Sequence, residues 1–201
     1  GHNMAQRTTT LDPSSGFSRR DFLRGSGAVA AAASVSQQTT AALAQEKGAK
    51  VASGEQTITL NVNGKEQKVK VEPRTTRPEA LRYQLDLTGA KPVCTDGSSG
   101  AATVLVDGKP MQANTMLAMQ AAGKTITTVE GLAPDGKELN SLQQAMHECH
   151  GLQCGYCTAG ILMTMTTFLA ENPAPDEAQV REALQGNLCR CTGYEPIVKA
   201  A

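Results

Sequence analysis

Gln153-Cys154-Gly155-Tyr156-Cys157-Thr158 and Gly186-Asn187-Leu188-Cys189-Arg190-Cys191-Thr192-Gly193-Tyr194 hold four of the six cysteines of this 201-residue chain. The others are Cys94 and Cys149. One motif is CxxC, the other CxC, and each falls where a helical pattern meets a glycine-bearing loop. Four thiolates gathered in this way suit a tetrahedral zinc site or an iron–sulfur cluster. Arg190 and backbone N–H groups would offset the negative charge. Cysteines two or three positions apart are poor disulfide partners for each other. Spacing alone leaves a cluster, a zinc site and disulfides open.

Outward from these motifs the pattern is helical. Leu139 to His147 has helical periodicity, Cys157 to Ala170 is apolar on most faces, and Asn172-Pro173 stops it. Asp176 to Leu184 reads as a further helix, and residues 193–200 as a short last one. Upstream the period changes. Residues 56–62 alternate apolar and polar, Asn63-Gly64 is a two-residue hairpin turn, and residues 65–71 complete the pair. A short helix is expected around Pro78 to Leu85, and residues 88–102 form a glycine- and serine-rich loop. Thr103 to Val106 is a strand ending in the Asp107-Gly108 turn. Another short helix is expected at 115–121 and a strand at Thr125 to Val129. The fold class is therefore α+β, with a β-rich first half and an all-α second half.

The two cysteine motifs closely resemble those of the iron–sulfur subunit of the xanthine oxidase family of molybdenum hydroxylases, including its periplasmic aldehyde oxidoreductases. The likeness continues through Ile126-Thr-Thr-Val-Glu-Gly-Leu-Ala133, Ser141-Leu-Gln-Gln144, Asn172-Pro173 and Ile197-Val198, and covers nearly all of residues 56–201. It implies an N-terminal β-grasp ferredoxin-like domain over 56–131 and a helical [2Fe–2S]-binding domain over 132–201. The implied cluster ligands are Cys154, Cys157, Cys189 and Cys191. Gln153 and Cys191 would lie near the molybdopterin cofactor of a large partner subunit. Electrons leaving molybdenum would enter this cluster first. The resemblance implies aldehyde oxidation or hydroxylation of a carbon centre, carried out by the complex. No residue of this chain is expected to be catalytic, and the chain is expected to be inactive alone.

The pattern breaks in the ferredoxin-like half. The family's loop has the spacing C-x₄-C-x₂-C, with a fourth Cys further on. Here the loop reads Cys94-Thr-Asp-Gly-Ser-Ser99-Gly-Ala-Ala102, and Asn114 takes the later position. The frame around the loop is kept: Gly89-Ala-Lys91, Gly100-Ala101 and Thr103-Val-Leu-Val-Asp-Gly108. One thiol with Ser, Ala and Asn cannot supply four soft donors, so a single [2Fe–2S] cluster is expected. In two-cluster relatives the missing cluster passes electrons to a flavin subunit or an external acceptor. Without it, the acceptor is expected to dock nearer the helical half, a haem protein being the partner suited to a periplasm. The competing readings are a degenerate structural or assembly subunit and a zinc-stapled binding module.

Other residues carry less. His147, Cys149 and His150 are read as helix-end residues and a spare thiol, and Met146, Met163 and Met165 as core. Ala159 stands where the family usually has Pro, and Tyr156 where it usually has Phe.

The first 44 residues read as a leader. Gly1-His2-Asn3 resembles a cloning scar before a start at Met4. Ser18-Arg19-Arg20-Asp21-Phe22-Leu23, a weakly apolar run to Val35 and Ala42-Leu43-Ala44 together resemble a twin-arginine signal peptide with its cleavage site. That route carries folded proteins to the periplasm, which suits a cofactor inserted before export. Residues 45–55 read as a linker. The chain has 19 basic and 19 acidic residues. Without the leader's four Arg and two Asp it has 15 and 17. This argues against a nucleic-acid partner, which needs clustered positive charge. No apolar run reaches the ~20 residues of a membrane span. Outside the leader there are one Phe, three Tyr and no Trp. Aromatics carry much of the buried area of ordinary cores, so a cofactor or partner is expected to add stability.

Overall fold

A computed structural model describes residues 52–133 and 138–201. The leader, and the linker as far as residue 51, lie outside the described residues. Five strands form one mixed sheet in the order β2-β1-β5-β3-β4. They are β1 Gln56–Val62, β2 Lys65–Val71, β3 Thr103–Val106, β4 Lys109–Gln112 and β5 Thr125–Thr127. β1 pairs with β2 antiparallel and with β5 parallel, while β3 pairs antiparallel with β4 and β5. This is the β-grasp arrangement.

Local chemistry explains the turns. Asn63-Gly64 and Asp107-Gly108 each place both residues at positive φ, 51° and 75° in the first and 51° and 79° in the second. A two-residue hairpin needs that conformation, and Asn-Gly and Asp-Gly adopt it at least cost. β4 follows Asp107-Gly108 directly and was not foreseen. Its Pro110 and its exposed, non-alternating side chains mask it, but as an edge strand it can hold a proline.

The expected helix at Pro78 to Leu85 is a single α turn, α1 Arg77–Glu79, which runs straight into a π turn, Ala80–Gln84. The expected helix at 115–121 is two 3₁₀ turns, Ala113–Thr115 and Ala118–Ala121. The strand expected to reach Val129 stops at Thr127, and Val129–Gly131 is a 3₁₀ turn. The side chain of Asn63 fixes this point: its Nδ2 donates to Thr128 Oγ1 and its Oδ1 accepts from Thr128 N, both at 2.9 Å.

Four helices follow: α2 Ser141–Glu148, α3 Thr158–Glu171, α4 Glu177–Ala183 and α5 Glu195–Ala200. Asn140 caps α2 and Asp176 caps α4. Each carries the reciprocal Gln three residues on, so two orphan N–H donors are satisfied at each end.

The buried residues form two clusters. One lies between the sheet and the 74–122 segment and contains Leu60, Val62, Val69, Val71, Leu81, Val104, Val106, Ile126 and six alanines. The other gathers Met146, Ile161, Leu162, Met165, Val180, Leu184 and Ile197 among the helices. Small side chains let backbones approach closely, so burial is reached with few aromatics. β3 is buried at all four residues because the core lies on one face and α3 on the other. At the contact there is no room for a methyl: a Cβ on Gly160 of α3 would lie 2.0 Å from the Gly100 carbonyl oxygen.

Candidate metal centre

The N-terminus of α3 and the loop before α5 bring together the four cysteines of the two motifs. Cys157 sits at the N-cap of α3 and is buried. Cys154 stands in the exposed loop before it, preceded by exposed Gln153. Between these two cysteines Gly155 has φ 82°, a backbone conformation that glycine adopts without steric cost. From the other loop come Cys189, half-buried, and Cys191, exposed. Cys191 Sγ lies 3.4 Å from Cys154 Sγ, a non-covalent contact, and all six cysteines are free thiols.

The surroundings divide the thiols by proton affinity. Burial, then contact with Cys189, pushes the Cys157 thiol up to about 12. A backbone hydrogen bond from Tyr156, then the Cys191 thiol, lowers Cys154; donating that proton raises Cys191. Burial pushes Cys189 up, but hydrogen bonds from the Thr192 hydroxyl and the backbone of Thr192 and Cys191 outweigh it and leave it lowered. Iron or zinc takes the thiolate, so donors already aimed at sulfur are those a metal centre needs.

The CxC loop is stiffened from within. Tyr194 has φ 72°, a left-handed conformation that costs a non-glycine residue about 1–2 kcal/mol. Its hydroxyl accepts from Cys189 N at 2.8 Å and donates to Asn187 O at 3.1 Å. Asn187, itself buried, donates from Nδ2 to Gly100 O at 3.2 Å, and Leu188 N donates to Ser99 O at 2.9 Å. The loop that resembles a ferredoxin loop is thus the wall on which the CxC loop is built. Nothing in the spacing of the cysteines signalled these contacts. The kept glycines did: a Cβ on Gly100 would lie 2.2 Å from Gly186 O.

The four positions of the ferredoxin-type set also lie together, but they satisfy one another. Cys94 Sγ is 2.9 Å from Ser99 Oγ and accepts from Ser99 N at 3.3 Å. Asn114 Nδ2 donates to the Cys94 carbonyl and lies 3.8 Å from its sulfur. Ala102, fully buried, is tied to this corner by Ala113 N, which donates to its carbonyl at 3.0 Å. Three soft donors are missing, and the polar replacements are engaged with the remaining thiol and backbone. This donor set does not fit a cluster.

The helical set does fit. It offers four thiols, hydrogen-bond donors to sulfur and a half-buried position. His147 lies in the last turn of α2, Cys149 is its C-cap and His150 follows directly. Met146, Met163 and Met165 are core side chains, each at most 2% exposed.

Comparison with known proteins agrees. Residues 128–201 match the [2Fe–2S] binding domain family, and residues 16–36 match the twin-arginine translocation pathway signal sequence. That signal directs a chain to the periplasm, and no helix among the described residues is long and apolar enough to cross a membrane. The gamma subunit of caffeine dehydrogenase from Pseudomonas sp. (strain CBB1) is 49% identical over 146 residues, 71% of this chain and 87% of that protein. The iron-sulfur-binding subunit of aldehyde oxidoreductase from Escherichia coli (strain K12) is 38% identical over 200 residues, 92% of this chain and 86% of that protein. The crystal structure of quinoline 2-oxidoreductase from Pseudomonas putida 86 superposes with a TM-score of 0.71 at 50% identity, over 74% of this chain and 91% of that one. The chain belongs to the small iron–sulfur subunits of the xanthine oxidase family of molybdenum hydroxylases.

Proposed function

We propose that this chain is the electron-transfer subunit of a periplasmic molybdenum hydroxylase and works through a single [2Fe–2S] cluster held by Cys154, Cys157, Cys189 and Cys191. When bound, the cluster supplies a one-electron relay between the molybdopterin of the large subunit and an external acceptor. The chain is divided at about residue 131 into a cluster-free β-grasp domain and a helical cluster domain. The β-grasp domain supports the CxC loop through Ser99 and Gly100, whose carbonyls accept from Leu188 N and Asn187 Nδ2.

The observation that carries this reading is the contrast between the two cysteine sites. One keeps four thiols, with hydrogen-bond donors aimed at Cys154 and Cys189; the other has closed into a Ser–Cys–Asn network. The exposure pattern supports a docking face at the cysteines. Cys154, Cys191 and Gln153 face outward beside Tyr156 and Leu188, which are 60% and 56% exposed. An apolar rim of this kind suits a protein partner, here the large subunit, with its pterin near Gln153 and Cys191. The helical half would also carry the exit to the acceptor, a haem protein, with a flavin subunit as the alternative.

The test is anaerobic. The purified complex is reduced with substrate, or with dithionite, and mixed with a c-type cytochrome. The account predicts loss of the reduced cluster's EPR signal as haem absorbance rises. A reduced complex that passes electrons to no haem acceptor contradicts the proposed exit.

A further inference from the structure

We propose that Thr192 is a positioning residue that raises the reduction potential of the cluster, by donating its hydroxyl hydrogen to the Cys189 thiolate. This deepens the reading above and rests on it, since it takes Cys189 as a ligand. Thr192 Oγ1 lies 3.1 Å from Cys189 Sγ. A ligating thiolate has no proton, so in the bound state the hydroxyl must be the donor. Tyr194 N donates to the same Oγ1 at 3.2 Å, which takes one of its two lone pairs and holds the oxygen beside the sulfur with its O–H free to donate.

Tyr194 is built to make this possible. Its left-handed backbone delivers the N–H to Thr192, while its hydroxyl takes the Cys189 N–H and returns to Asn187 O. One strained residue therefore locks both the thiolate's backbone and the hydroxyl that faces it. Backbone strain held in place by several convergent hydrogen bonds belongs to functional sites. A hydrogen bond to a cluster sulfur withdraws electron density and favours the reduced state, which carries one more negative charge. The effect is directional: removing the donor lowers the potential, and the cluster then takes electrons from the partner less readily.

The experiment uses the assembled complex with Thr192→Val, which keeps the side-chain shape without the hydroxyl, and Thr192→Ser, which restores the donor. Iron and acid-labile sulfide per chain report whether the cluster is held. A potentiometric EPR titration reports its potential. In Thr192→Val the reduced-to-oxidised ratio at a given potential is expected to fall about tenfold, a shift of about 59 mV for one electron. Thr192→Ser is expected to titrate close to wild type. Full cluster content with an unmoved potential in Thr192→Val overturns the proposal, as does a Thr192→Ser shift as large as that of Thr192→Val.

A second measurement does not depend on the variants incorporating the cluster. The reduced wild-type signal, recorded by proton ENDOR before and after exchange into D₂O, is expected to lose a strongly coupled exchangeable proton. Absence of any such coupling overturns the proposal. Wild type without iron and sulfide refutes the ligand assignment itself, and so is distinguishable from failure of the Thr192 role.

Discussion

At the scale of single residues, the same element, sulfur, is managed in two ways. In the helical half, burial and donor geometry separate Cys157, pushed to about 12, from the lowered Cys154 and Cys189. In the β-grasp half, burial pushes Cys94 up, but the Ser99 hydroxyl and N–H outweigh it and leave the thiol lowered. A lowered thiol ionises earlier as pH rises. Alkylation of Cys94 in the assembled complex is therefore expected to begin at a pH below that of an unperturbed thiol, and Ser99→Ala to move its onset upward. Peptide mapping of iodoacetamide adducts across a pH series would read both. The companion expectation is that Cys94→Ser leaves iron content unchanged, because one thiol beside Ser99, Ala102 and Asn114 does not make a ligand set. Loss of iron in that variant would show that the ferredoxin-type corner still holds metal. That Cys94 stands without its thiol partners was legible in the sequence; that Ser99 and Asn114 would turn toward it was not, because hydrogen bonds between loops depend on how the loops fold back.

At the scale of elements, strand and helix order could be read ahead wherever one face is buried and the period is regular. β1, β2, α3 and the caps at Asn140 and Asp176 are of this kind. The failures have a common cause. β4 is an exposed edge with a proline, and the 77–84 segment splits between α and π turns, so neither has a period to read. The close approach of α3 to the loop before β3 was also hidden, because it is made by an absence of side chain. Gly160 has no room for a Cβ beside the Gly100 carbonyl. Replacing a helical Gly by Ala ordinarily gains about 1 kcal/mol in helix propensity. Here overpacking against backbone, typically about 1–3 kcal/mol, should exceed that gain. Gly160→Ala is expected to lower the melting temperature of the complex and to loosen the CxC loop that rests on the same wall. A melting temperature equal to or above wild type would mean that α3 and β3 shift apart at no cost.

At the scale of the whole molecule, the β-grasp half has its five-stranded sheet beside a donor set, Cys94, Ser99, Ala102 and Asn114, that does not fit a cluster. Its contacts give it a supporting position. Ser99, Gly100 and Gly160 hold the loop against α3, and through Asn187 and Leu188 they hold the proposed cluster loop in turn. Removing this half would take away a wall of the centre, so it can persist as support without carrying electrons. A zinc-stapled module would lack sulfide and a redox signal, as would a structural subunit without a cluster. The most direct measurement is iron and acid-labile sulfide per chain in the purified complex, with an EPR spectrum after reduction. The account predicts about two iron and about two sulfide with one [2Fe–2S] signal from this subunit. About four iron and two such signals would contradict it, by placing a cluster where Ser99, Ala102 and Asn114 now stand.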